Sequence, residues 1–179
     1  MLVRAAGRRH PHSLSRHSSM ARRHESLIPL SKDHYQGLLL AQQIKTNDRI
    51  MLVGWPSDPK VQAQFVAGFY KEHLVSHFEA EEKSLFPLIA KHIPAARGRI
   101  DELVLEHRRM EEFAGRFAGP DVDIVKEELT KFSELLEAHI RKEERELFPL
   151  FESKAPPEVL EQAKDLLHRH YPNQLPTDR

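Results

Sequence analysis

The chain has 179 residues and equal numbers of basic and acidic side chains, 27 of each, so its formal net charge is zero. Without a charge excess it lacks the electrostatic signature of a protein that binds nucleic acid or a membrane surface. It contains no cysteine, which excludes disulfides, thiolate metal sites and a cysteine nucleophile. The longest apolar runs are far shorter than the roughly 20 residues that a membrane-spanning helix needs. The unusual feature is a content of 12 histidines.

The first 24 residues differ in composition from the rest of the chain. They hold six arginines and four histidines but no acidic residue, which leaves the remainder with a net charge of −6. Three interpretations are open: a disordered tail, an organellar targeting segment, or translation that begins at Met20. We leave residues 1–24 out of the fold and expect a cytoplasmic protein, with organellar import through this segment as the alternative.

Capping and stop signals divide the remaining residues into helices. Ser31 predicts the cap of the first helix, Asp58 with Pro59 predicts the start of the second, and Pro94 predicts its end. In chain order the predicted helices cover 31–53, 59–93, 95–118, 121 or 123 to 153, and 158–169. Apolar residues recur at helical spacing and no segment alternates as a strand would. The predicted fold is therefore all-α: an antiparallel up-down-up-down four-helix bundle over 25–154, followed by a short C-terminal helix and tail over 155–179.

The chain also contains an internal repeat. The sequence HFEAEEKSLFPL, from His77, matches HIRKEERELFPL, from His139, at seven of twelve positions with an offset of 62 residues. Each copy follows a helix that carries a histidine directly after an acid, Asp33-His34 and Glu106-His107. Packing alone tolerates many apolar choices, so this degree of identity indicates a chemical constraint on two related helical hairpins.

The spacing of the repeated residues predicts a metal site. Residues four apart lie on one face of a helix, so His77 points with Glu81 and His139 points with Glu143. One further histidine from each of the other helices, His34 and His107, completes four nitrogens and two carboxylates. Two buried carboxylates without cations are costly, whereas two divalent metals neutralise them. A carboxylate can bridge two metals, so we assign Glu81 and Glu143 as bridges and the four histidines as terminal ligands.

The positions of these residues along the helix axes also indicate that they form one cluster. Around Pro94, Glu81 and His77 lie 13 and 17 residues before the turn, and His107 and Glu111 lie 13 and 17 residues after it. His34 and His77 also match across the first connection. His107 and His139 are mismatched by roughly 6–9 Å at the helical rise, which a later start of the fourth helix would repair.

This pattern resembles the hemerythrin-like (HHE cation-binding) family, in which histidine and His-x3-Glu motifs alternate on successive helices. The resemblance covers about residues 25–154 and implies a non-haem di-iron centre, oxo- or hydroxo-bridged, with the six residues above as ligands. The donor set by itself does not select iron, because sites of this kind also take manganese, zinc or cobalt. The family's oxygen carriers have a second histidine where this chain has Glu111, and an aspartate where it has Glu143. Glu111 is therefore a candidate seventh ligand, and otherwise the site is more open.

The resemblance leaves the function between two classes. One is a binding or sensing protein that takes up O2 or NO or reports iron, without a catalytic residue. The other is a di-iron enzyme that decomposes peroxide, acts as an oxidase or repairs iron centres. For either class a redox partner or a homodimer is expected. A metal-free interaction bundle is the third reading. Around the site, we expect an apolar floor of Leu85, Phe86, Leu147 and Phe148, helix bends at Pro87 and Pro149, and arginine or solvent contacts for Glu82 and Glu144.

Overall fold

The computed structural model describes residues 23–46, 55–119 and 126–170. We number the helices as follows: α1 Ile28–Thr46, α2 over residues 59–92, α3 Arg97–Phe117, α4 over residues 126–154, and α5 Pro157–His170. Helix α1 packs against α4, α2 packs against α3, and α3 packs against α4. No strand occurs in these ranges, so the predicted helical bundle with a short final helix is confirmed.

The start of the second helix is as predicted, but the start of the first is not. The Asp58 side chain accepts a hydrogen bond from the Lys60 amide at 2.8 Å, and Pro59 occupies the first helical position. The predicted cap at Ser31 is wrong, because α1 already begins at Ile28 after a 3₁₀ turn at Glu25–Leu27. Ser31 lies inside the helix and donates its hydroxyl to Glu144 at 2.6 Å.

Other predicted boundaries agree closely or lie outside the described residues. Pro94 opens a short 3₁₀ turn, Pro94–Ala96, between α2 and α3. The predicted end of the first helix near Val53 and the predicted start of the fourth at Asp121 or Asp123 fall outside the described ranges. Arg23 and His24, assigned by sequence to the N-terminal tail, contact α4: Arg23 pairs with Glu152 at 2.7 Å and the His24 amide donates to the same carboxylate at 2.6 Å.

Helices α2 and α4 contain π-helical turns at equivalent positions of the repeat. These turns, Glu81–Leu85 and Glu143–Leu147, each begin at a predicted bridging glutamate. Two residues beyond each turn lies a proline, Pro87 or Pro149, which has no N–H to donate to the carbonyl four residues earlier. A π turn thus lies just before each proline at which a bend is predicted, and π turns often mark functional sites.

Two apolar clusters lie above and below a polar layer. The lower cluster includes the predicted floor residues and the apolar face of α5, which packs against the Glu25–Leu27 turn and the first of these π turns. The upper cluster is formed by all four long helices together with Trp55. Helices α1 and α4 come very close at Gly37, where an added Cβ would lie only 2.8 Å from Cδ1 of Ile140. None of the described helices is long and apolar enough to span a membrane.

Candidate metal centre

The structure brings all six residues assigned as metal ligands together between the two apolar clusters. Each is at most 3% exposed: His34, His77, Glu81, His107, His139 and Glu143. They form two groups of four side chains that could each hold a metal ion, and both glutamates belong to both groups. This geometry is compatible with metal binding by these side chains.

The first group joins α1 and α2 to one residue of α4. The Nε2 atoms of His34 and His77 lie 3.1 Å apart. Glu81 directs Oε1 towards His77 at 3.3 Å and His34 at 3.9 Å, while Glu143 Oε2 lies 3.0 Å from His34.

The second group mirrors the first on the other side of the same carboxylates. The Nε2 atoms of His107 and His139 are also 3.1 Å apart. Glu81 turns its other oxygen, Oε2, towards His107 at 3.4 Å, and Glu143 Oε2 lies 3.4 Å from His139. The two oxygens of Glu81 thus face different histidine pairs, as in a carboxylate that bridges two ions, whereas a single oxygen of Glu143, Oε2, faces both His34 and His139.

The chemistry of the donors fits a cation. Within the part of the chain that the structure describes, none of the four carboxylate oxygens of Glu81 and Glu143 has a hydrogen-bond partner. Facing Nε2 atoms at 3.1 Å can form a hydrogen bond only if one carries a proton, and otherwise two lone pairs repel each other. Buried acceptors that converge on one space are expensive unless a proton or a cation lies between them.

A second layer of carboxylates surrounds the histidines. Each imidazole turns its Nδ1 towards a carboxylate of a neighbouring helix. The pairs are His34 with Glu144 at 2.7 Å, His77 with Asp33 at 3.3 Å, His107 with Glu82 at 2.8 Å and His139 with Glu106 at 3.0 Å. Such a partner holds the Nδ1 proton and leaves Nε2 as the donor to metal. The four pairs link each long helix to the next and close a ring around the bundle.

Three of these outer carboxylates also meet a cation. Glu144 pairs with Arg23 at 2.6 Å, Glu82 pairs with Arg108, and Glu106 pairs with Lys142. The expected arginine contacts of Glu82 and Glu144 are therefore present, but their bonds to the histidines were not predicted from the sequence. The signal was available, because each of these acids directly follows a predicted bridging glutamate.

Without metal, the electrostatics favour protonated imidazoles. Burial alone lowers the pKa of His77, but the carboxylates of Glu81 and Asp33 more than offset this effect and raise it to about 10. Burial is likewise outweighed by carboxylates at His34 and His107, whose pKa values are raised above the ordinary 6.5. Burial raises the pKa of Glu81, yet the neighbouring imidazoles His77 and His107 lower it well below 4.5.

Metal binding near pH 7 should therefore release protons from the centre. The pKa of His77 is raised to about 10, so this imidazole is protonated at pH 7, and we expect at least about one proton to be released per chain when metal displaces it. In the metal-free chain, the stability that these protons supply is fully present below pH 6.5 and, at His77, is lost as pH rises through about 10. Calorimetric titration of zinc into the metal-free chain, in buffers of different ionisation enthalpy, measures the count. Release of less than one proton would contradict the expectation.

The second layer should tune metal affinity without supplying a ligand. We expect Glu106→Gln to weaken metal binding by about 10-fold or more, because it removes the negative charge that polarises His139. Competition with a chelator of known affinity measures the change. The control is Glu112→Gln, an exposed glutamate on the same helix, which should bind like the wild type. Equal affinity in both variants would count against a tuning role for Glu106.

Aromatic rings enclose the imidazoles from below. Phe148 stacks on His34 with centroids 5.5 Å apart, and Phe86 stacks on His107 at 5.9 Å. Both phenylalanines belong to the lower cluster with Leu85 and Leu147, so the expected apolar floor is present. Such a floor fixes the ring planes and excludes water from the polar layer.

A cavity of about 10 Å³ lies above the polar layer. Its volume is about that needed for one water molecule. Its walls come from α1, α2 and α4: Asp33, His34, Leu74, His77, Phe78, Leu136, His139 and Ile140. Three of the clustered histidines therefore border a space that fits only a very small molecule.

Glu111 and His73 do not join the cluster. Glu111, the candidate seventh ligand, is 60% exposed and lies 3.7 Å from Arg108. On α3 the position that faces the core is Met110, three residues after His107, which is fully buried, and Glu111 lies outside this face. His73 is exposed and packs on Phe69 with centroids 4.7 Å apart.

The family model for the hemerythrin HHE cation-binding domain matches residues 38–151. The chain therefore belongs to this family. Five of the six clustered residues lie within the match, whereas His34 precedes it, so the inclusion of His34 rests on the geometry described above. No curated protein and no solved structure shows significant similarity to the chain.

Proposed function

We propose that the chain is a non-haem di-iron protein that binds or senses O2 or NO. The observation that carries the proposal is the sharing of Glu81 and Glu143 between two histidine pairs. Two carboxylates common to two donor groups suit two ions better than one, because a single ion would leave one histidine pair without a cation. An iron pair would supply redox chemistry and positions open to a small ligand.

The residues around the centre limit the size and the polarity of the ligand that can bind there. Each group offers four protein donors, and Glu111 does not add another. The adjoining cavity of about 10 Å³ excludes organic substrates and admits a diatomic molecule. Its upper walls, Leu74, Phe78, Leu136 and Ile140, are apolar and favour an uncharged molecule over an ion.

The first test is a count of metals. The purified full chain, reconstituted anaerobically with ferrous iron, should contain about two irons by elemental analysis and change its visible spectrum on exposure to NO or O2. One zinc per chain, with no iron retained after reconstitution, would remove both the di-iron assignment and the oxygen chemistry. No metal of any kind would leave a helical bundle without a metal function.

Peroxide decomposition is the alternative outcome of the same preparation. The cavity admits a molecule of that size, and the Asp33 carboxylate lines it beside His77 as a group able to accept a proton. Rapid turnover of hydrogen peroxide by the iron-loaded chain would favour an enzyme. A stable spectral change with NO or O2 and no peroxide turnover would favour a binding or sensing protein.

A further inference from the structure

One aromatic ring separates the inner cavity from a cleft at the surface between α2 and α3. Phe78, which is 5% exposed, lines both the inner cavity and an outer cleft of about 190 Å³ between α2 and α3. The remaining walls of the outer cleft are formed by Tyr70, Val75, Glu79, Glu82, Lys83, Arg108 and Glu111. A molecule in the cleft is therefore one side chain away from the metal centre.

Phe78 meets other rings on both of its sides. It stacks on His107 with centroids 3.8 Å apart, and it meets His139 and His77 edge-on at 5.6 and 5.8 Å. On the cleft side it meets Tyr70 at 6.2 Å. A phenyl ring has no hydrogen bond to break, so its displacement costs packing alone.

The backbone that precedes Phe78 contains a π turn, and the corresponding segment of the second repeat does not. A π turn, Tyr70–Leu74, carries one wall of the outer cleft, Tyr70, and one wall of the inner cavity, Leu74. The equivalent residues of the repeat, 132–136, are α-helical, and Phe132 there is fully buried. The second hairpin thus lacks both the turn and a polar, partly buried ring at this position.

The equivalent route through α4 is closed. Ile140, the repeat counterpart of Phe78, borders the inner cavity and packs against α1 at Gly37. A different route passes Asp33, which borders both the inner cavity and a surface depression beside α1. Asp33 is hydrogen-bonded to His77, and its carboxylate opposes the passage of apolar molecules and anions.

From these observations we propose that the cleft over Tyr70 is the entrance to the metal cavity, and that Phe78 is the barrier that admits small uncharged molecules such as O2 and NO. The inference rests on the proposed function and adds a route and a residue that controls access. A barrier changes the rates of entry and exit together, whereas a residue that stabilises the bound ligand changes the affinity.

The test is stopped-flow binding of NO to the full chain loaded with ferrous iron, compared among the wild type, Phe78→Ala, Ile140→Ala and Asp33→Ala. We expect Phe78→Ala to raise the association and dissociation rate constants by a similar factor of about 10 or more, with little change in affinity. Ile140→Ala enlarges the same inner cavity without opening the cleft, so it should raise the association rate constant far less than Phe78→Ala does, whatever its effect on affinity. Phe78→Leu, which retains apolar packing, replaces the alanine variant if the latter does not fold.

A second readout does not depend on iron. Dissolved O2 is paramagnetic and broadens the NMR signals of nearby methyl groups, so broadening of the Leu136 methyl signals reports its entry into the metal-free chain. It should be stronger in Phe78→Ala than in the wild type or Asp33→Ala.

The outcomes separate this inference from the proposed function. Unchanged rates in Phe78→Ala, faster rates in Asp33→Ala alone, or a change confined to dissociation would overturn the assignment of Phe78. If no variant binds NO, the proposed function fails, and the broadening of Leu136 alone decides whether Phe78 is the barrier.

Discussion

Replacing Glu143 with alanine should reduce the metal content of the reconstituted chain from two ions towards one or none. Glu143 belongs to both donor groups, so each group loses one of its four protein ligands. Structural zinc sites with four ligands bind with about 10–16 kcal/mol, so one ligand corresponds to roughly 3 kcal/mol, or about 100-fold in dissociation constant for each group. Elemental analysis after gel filtration, together with thermal melting with and without added metal, measures the loss. Glu81→Ala should behave in the same way.

Two glutamates provide matched controls for this substitution. Glu134 is exposed on the same helix as Glu143, and Glu134→Ala should keep full metal content and an unchanged melting temperature. Glu111→Ala should also keep its metal, because the side chain lies at the surface beside Arg108. Full metal content and wild-type melting in both Glu143→Ala and Glu81→Ala would remove the bridging assignment.

Replacing Phe148 with alanine should destabilise the fold and the metal centre together. Phe148 is completely buried in the lower cluster, and removal of a buried phenylalanine ring costs about 3–5 kcal/mol. Its ring also stacks on His34, so the variant should bind metal more weakly than Glu134→Ala even where it remains folded. Chemical denaturation of the metal-free chain and chelator competition measure the two effects separately.

The comparison for Phe148 is a phenylalanine that is largely at the surface. Phe65 is 43% exposed and contacts Trp55 edge-on, so Phe65→Ala should cost about 1 kcal/mol or less and leave metal affinity unchanged. Equal destabilisation in the two variants would mean that the floor makes no special contribution to the fold.

The six clustered residues could be predicted because their signal is local and repeated. A spacing of four residues places His77 with Glu81 on one face of a helix, and the second copy excludes coincidence. The level mismatch between His107 and His139 did not prevent their meeting, since their Nε2 atoms lie 3.1 Å apart. Helix type and number followed from the same periodicity and from the proline and aspartate signals.

The features that sequence could not supply depend on contacts between helices. Ser31 satisfies the rules for a helix cap, but a carboxylate on α4 uses its hydroxyl instead. Glu111 has the same spacing from His107 as Glu81 has from His77, yet on α3 the buried position is Met110, and Glu111 lies at the surface beside Arg108. The outer carboxylates bind histidines of neighbouring helices, and no one-dimensional pattern states which acid meets which imidazole.

The sharing of carboxylates between the two hairpins gives the donor set of the centre a pseudo-twofold symmetry. Each hairpin supplies both histidines and one glutamate of its own donor group and receives its fourth donor from the other hairpin. Two copies of one hairpin, related by a rotation axis through the carboxylates, would contain the same set of donors. The chain can thus be described as a homodimer fused into one polypeptide. Each half lacks the fourth donor of its group unless the other half provides a carboxylate oxygen.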